Sequence, residues 1–133
     1  MLICLIAGLL VAPLGEDVTL RWTHSIEKIV WEEDYRLETD ALRLVEARVR
    51  GSGAGMEPPA GAVLKDDGAW HYVPALPLLP RIELRHSPYV PPYILCSGDQ
   101  CLPVTAWLPA LGENAVLELA PCQIQPEQPN QER

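Results

Sequence analysis

Val18-Thr19-Leu20-Arg21-Trp22-Thr23-His24-Ser25-Ile26-Glu27-Lys28-Ile29-Val30-Trp31-Glu32-Glu33-Asp34-Tyr35-Arg36-Leu37 changes chemical character at every second residue, and that period decides the fold. Side chains of a strand alternate between two faces, so Val18, Leu20, Trp22, His24 and Ile26 share one face while Thr19, Arg21, Thr23 and Ser25 share the other. After Lys28 the apolar set moves to odd positions: Ile29, Trp31, Tyr35 and Leu37, with Glu33 among them. A histidine and a carboxylate therefore face inward. Between Trp22 and Tyr35 lie three aromatics, one histidine and four carboxylates, too dense a mixture for a plain structural strand. If the chain reverses near Glu27-Lys28, His24 falls opposite Trp31 and Trp22 opposite Glu33. Glu27, Glu32 and Asp34 read as a solvated edge.

The same period recurs across the chain. Fourteen prolines, nine glycines and no phenylalanine in 133 residues describe short strands joined by turns. The expected fold is mostly β: a single small antiparallel β-sandwich or barrel-like domain over residues 1–122, followed by a disordered polar tail over 123–133. A chain of this length buries about two-thirds of its unfolded surface without a metal or disulfide scaffold. A net charge of −8 with no basic run argues against a nucleic-acid groove or an anionic membrane surface as partner, and favours basic or neutral ones.

Leu37 to Arg50 reads as one strand running into the loop Gly51-Ser52-Gly53-Ala54-Gly55-Met56-Glu57-Pro58-Pro59, where glycines permit close backbone approach and the prolines stiffen the exit. Asp67-Gly68 marks a hairpin between Ala62-Val63-Leu64 and Ala69 to Val73. Pro74 to Pro80 is a crossing, Arg81 to Ser87 alternates with Ile82, Leu84 and His86 on one face, and the last strand spans Ala115 to Ala120.

Met1 to Val11 is apolar, but it is shorter than the roughly 20 residues a membrane helix needs. It carries no preceding cation and no evident cleavage site, so Leu2 to Ala7 reads as a buried first strand, with an atypical export signal as the alternative. Cys96 and Cys101 flank a Gly98-Asp99 turn and face each other across a hairpin, which points to a structural disulfide and an oxidising compartment. Cys4 and Cys122 either pair across the terminal strands or stay as two buried thiols.

Trp22, His24, Trp31 and Glu33 form a candidate wall of a binding site. An imidazole and a desolvated carboxylate stabilise each other's charged form there. Ser52, Gly53, Gly55, Met56 and Glu57 supply a rim whose backbone amides could meet a carboxylate. His86 shares the inward parity. Ser25 is the strand neighbour of His24 and points to the other face, so the two cannot act as a nucleophile and base. The glycine-rich loop lacks the Gly-x-Ser-x-Gly elbow and the Lys-Ser/Thr ending of a phosphate cradle. The histidines show no metal-ligand spacing, and no cofactor is expected. The reading is non-catalytic; its alternative is a small-molecule hydrolase or isomerase using His24 or His86 with Glu33.

Trp22-Thr23-His24-Ser25-Ile26-Glu27-Lys28, then Trp31-Glu32-Glu33-Asp34-Tyr35, then Gly51 to Pro59 and Ser87-x-Tyr89 leading to Leu95-Cys96 resemble the domain of unknown function 1850. Ser25, Glu27 and Ser87 complete the candidate binding residues. The resemblance implies a small bacterial protein associated with TAXI-type TRAP transporters. Its expected partners are the transporter permease or the solute-binding protein, together with a small organic anion. The implied location is the periplasm or the periplasmic face of the inner membrane, without strong membrane insertion. The family offers no catalytic residues to carry over.

Overall fold

The computed structural model describes residues 1–23, 29–50 and 60–123. The alternating segments become strands: β1 (Leu2–Ala7), β2 (Leu10–Gly15), β3 (Asp17–Thr23), β4 (Val30–Glu38), β5 (Ala41–Arg50), β6 (Val63–Leu64), β7 (Ala69–Tyr72), β8 (Ile82–His86), β9 (Ile94–Ser97), β10 (Gln100–Pro103) and β11 (Ala115–Cys122), with one helical turn, α1 (Val104–Trp107). They form a four-stranded sheet in the order β2-β1-β11-β8 and a seven-stranded sheet in the order β10-β9-β3-β4-β5-β7-β6. All pairings are antiparallel. The sheets pack face to face without closing into a barrel, so the fold is a small β-sandwich.

Parity predicts which residues meet between the sheets. Ile3, Leu5, Leu84, Leu117 and Leu119 of the smaller sheet pack with Val18, Leu20, Tyr35, Leu42, Leu44 and Leu95 of the larger. Val104 and Leu108 close one side, where α1 follows β10 and the Trp107 indole N–H donates to the Leu95 carbonyl at 3.0 Å. Leu2 to Ala7 is a strand, held between β2 and β11. Among the described residues, no helix is long and apolar enough to cross a membrane.

Two local expectations need correction. Leu37 to Arg50 is not one strand: β4 and β5 form a hairpin with Glu38 opposite Ala41, turning at Thr39 with φ 61°. Left-handed backbone is strained for a β-branched residue, so the sequence lacks the glycine or asparagine that usually marks such a turn. The register of β3 on β4 also differs. Trp22 lies opposite Trp31 and Leu20 opposite Glu33, rather than Trp22 opposite Glu33. A shift of two residues returns every side chain to its face, so hydrophobic patterning cannot detect it.

The Asp67-Gly68 turn forms as expected, with Gly68 at φ 80°. So does the Gly98-Asp99 turn, and Cys96 and Cys101 are register partners joined by a disulfide. Cys4 and Cys122 are also joined, across β1 and β11, with Cα atoms 5.9 Å apart. The two crosslinks close loops of very different size, with sequence separations of 118 and 5 residues. In the chain-entropy account the long loop contributes about 5 kcal/mol and the short one about 2 kcal/mol. Cys4→Ala/Cys122→Ala is therefore expected to lower the urea midpoint well beyond Cys96→Ala/Cys101→Ala; equal losses would show that loop size is not what matters.

Candidate functional site

β3 and β4 position an aromatic row at the margin of the core. Their direct pairing stacks Trp22 on Trp31 with ring centroids 5.9 Å apart and planes 8° apart, and Tyr93 tilts against Trp22 at 6.4 Å. Such contacts add about 0.5 to 1.5 kcal/mol beyond area burial. The packed core reaches Trp22 and Tyr93, whereas Ile29, Ala47 and Val49 are buried outside it. Trp31 and Glu33, the register partners of Val49 and Ala47, are partly buried.

Glu33 is the inward carboxylate that strand parity anticipates. It lies between Leu20 and Ala47 in the sheet, and the Tyr35 hydroxyl, two residues along the same face, donates to its Oε1 at 2.6 Å. Burial pushes the Glu33 carboxyl above the ordinary range, with the Tyr35 hydrogen bond pulling the other way. Burial, that hydrogen bond and the Glu33 charge together hold the Tyr35 hydroxyl protonated far above its usual range. Tyr72 and Tyr93 are raised too, first by burial and then by the Glu33 charge. The face thus offers flat aromatic surface around one carboxyl that readily keeps a proton, which suits binding of a partly apolar group with a single hydrogen bond.

The opposite face of the same sheet carries a charge network. Arg21, Glu32, Arg48 and His71 are successive register partners across β3, β4, β5 and β7. Glu32 Oε2 accepts from Arg21 Nε at 2.9 Å, and its Oε1 accepts from Arg48 Nε at 3.2 Å and Arg50 Nε at 3.1 Å. Arg48 also grips Asp34 through two nitrogens at 2.6 and 2.8 Å and reaches Glu46 at 2.9 Å. His71 places Nδ1 3.0 Å from Glu46 and Nε2 2.8 Å from Asp67, and both contacts are hydrogen bonds at once only when both nitrogens carry protons.

Glu32 and Asp34 are therefore not a solvated edge. Glu32 is 4 % exposed. Burial opposes its ionisation, but hydrogen bonds from Arg21 and Arg48 and the charges of Arg48 and Arg50 outweigh that and hold the carboxyl below the ordinary range. Asp34 is lowered in the same way, burial being overcome by Arg48 and the Thr19 hydroxyl. This network was missed in the sequence although a signal was present: Glu32, Asp34 and Arg36 on β4 alternate with Trp31, Glu33 and Tyr35, and Glu46, Arg48 and Arg50 on β5 alternate with Ala47 and Val49.

Of the sequence-derived candidates, the structure brings Trp22, Trp31 and Glu33 to one face. His24, Ser25 and Glu27, and Ser52, Gly53, Gly55, Met56 and Glu57, lie outside the described residues. His86 and Ser87 sit elsewhere, at the end of β8, in a cleft whose lining does not include Glu33. Among the described residues, no group of three or more His, Cys, Asp or Glu side chains is arranged to hold a metal ion.

The fold and this face define a small β-sandwich with an aromatic-carboxyl surface on its larger sheet. The family described as domain of unknown function (DUF1850) matches residues 18–104, well over half of the sequence, and the chain belongs to that family. The matched span holds β4 to β10 and nearly all of β3, whereas β1, β2 and β11 fall outside it. No curated protein and no solved structure matches the chain.

Two outcomes test these electrostatics. Because the folded-state carboxyl of Glu33 is raised, the folded state favours its proton, and the ionised group opposes folding at neutral pH. Glu33→Gln is expected to raise Tm at pH 7, with the gain shrinking as pH falls and wild-type Glu33 takes up its proton above 4.5, the ordinary value. A gain that persists at low pH would contradict this. Glu32 and Asp34 have the opposite sign: their contribution is present above their ordinary values of 4.5 and 3.8 and is lost as pH falls through the lowered folded-state values. Arg48→Ala leaves three carboxylates without their shared cation and is expected to cost about 3 to 5 kcal/mol in urea unfolding at neutral pH. A loss under about 1 kcal/mol, the size of an exposed pair, would show that the network is not structural.

Proposed function

We propose that this chain is a non-catalytic binding domain that acts as an accessory to a TAXI-type TRAP transporter on the periplasmic side of the inner membrane. The partner is the permease or the solute-binding protein, and a small organic anion is the transported solute. The observation that carries the binding role is the face formed by Trp22, Trp31, Tyr93 and Glu33 at the margin of the packed core. Aromatic side chains with a polar handle are favoured at recognition surfaces because they bury much area with little rotamer freedom to lose. The transporter link rests on the family resemblance, and the two disulfides are consistent with an oxidising compartment.

A hydrolase or isomerase would need Glu33 to share protons with His24 or His86. The Glu33 carboxylate is bonded to Tyr35, and among the described residues no hydrogen bond joins it to His86. This weighs against the pairing with His86, whereas His24 lies outside the described residues; we favour the binding role on the aromatic face.

The test is co-purification with the permease and the solute-binding protein of the same organism, comparing wild type with Trp31→Ala. Retention of wild type and at least a tenfold loss with Trp31→Ala, at a Tm that keeps the variant folded, is the expected result. Equal retention of both chains, or of neither, would overturn the proposal.

A further inference from the structure

β8 is an edge strand of the smaller sheet, and its last residue, His86, is the register partner of Ala115, the first residue of β11. A cleft of about 560 Å3 opens at this corner, within the size range of small-molecule sites. Its polar lining is Arg85, His86, Ser87 and Asn114, and its apolar lining includes Val90 and Val116, which are 42 % and 43 % exposed. Among the described residues that line it there is no carboxylate. In a chain of net charge −8, a pocket lined by a guanidinium, an imidazole, a hydroxyl and an amide is a local reversal of sign.

The donors have capacity to spare. Arg81 is tied to Glu118 at 3.1 Å, whereas Arg85 makes no ion pair among the described residues. The Ser87 hydroxyl oxygen accepts from the Tyr89 backbone N–H at 3.3 Å, which leaves its proton to donate. The Nδ1 of His86 is buried with no hydrogen-bond partner among the described residues. Buried polar atoms are paired in the great majority of cases, and an unpaired one costs about 1 to 3 kcal/mol. The ring shares the inward parity of Leu84 and lines the cleft from that side, which makes its signals a reporter of what the cleft holds.

We propose that this cleft binds a small carboxylate anion bearing a short alkyl group. The carboxylate is held by Arg85, whose register partner is Val116, and by Ser87, and the alkyl group lies against Val90 and Val116. An arginine fork and a hydroxyl match the two carboxylate oxygens, and the exposed valines gain from covering an alkyl chain that a bare inorganic anion lacks.

The experiment is titration of the full chain with butyrate and with inorganic phosphate, following the ring signals of His86 by heteronuclear NMR. Butyrate is expected to shift them saturably and more tightly than phosphate. Arg85→Gln, at an exposed position, is expected to weaken butyrate at least tenfold, with Lys65→Gln, outside the cleft, leaving it unchanged. Absence of saturation at millimolar butyrate, undiminished binding by Arg85→Gln, or equal binding of phosphate would each overturn the proposal. The readout is separate from transporter co-purification, so failure at this cleft leaves the aromatic face untouched.

Discussion

Arg48 bonds simultaneously to Glu32, Asp34 and Glu46, and the register of the larger sheet depends on it. The pairing of β4 with β5 sets Asp34 directly opposite Glu46 and Arg36 directly opposite Arg43. Like charges facing each other destabilise a sheet. The acidic pair is reconciled by Arg48, and the basic pair is drawn apart, Arg36 to Asp17 at 2.8 Å and Arg43 to Glu38. The irregularity between Asp34 and Tyr35 makes the arrangement possible, because Tyr35 pairs with Leu44 and Val45 is left over as an extra residue. A bulge of this kind keeps Leu42 and Leu44 facing the core on one side of it and Ala47 and Val49 on the other.

With the outer face locked by charge, the inner face is free to differ along its length. One part is covered by the smaller sheet and is uniformly apolar. Farther along, the same strands present Trp31, Glu33 and, two strands across, Tyr72. The carboxyl of Glu33 and the buried carboxylate of Glu32 are adjacent in sequence and experience opposite environments. One faces aromatic rings and a single hydroxyl and keeps its proton more readily; the other faces three guanidinium groups and gives it up more readily. Strand parity separates two chemically identical side chains into two roles.

The family match stops short of the strands that complete the sandwich. β1 and β11 lie outside residues 18–104, yet they contribute Ile3, Leu5, Leu117 and Leu119 to the core and are tied together by Cys4–Cys122. The apolar face of the larger sheet needs this cover, and the long-range disulfide joins the two segments that provide it.

The period of two in Val18 to Leu37 determined the fold class and the inward placement of Trp22, Trp31 and Glu33, and the Gly98-Asp99 turn determined the Cys96–Cys101 hairpin, because those features depend on neighbours a few residues apart. The Thr39 turn was hidden, since a strained threonine stands where glycine would have announced it. Tertiary structure alone decided the register of Trp22 on Trp31, the burial of Glu32 under Arg21, Arg48 and Arg50, and the separation of His86 from the aromatic face. Each of these depends on which strands become neighbours across the sheet or between sheets. Shifting one strand by two residues leaves the hydrophobic pattern unchanged while replacing every cross-strand partner.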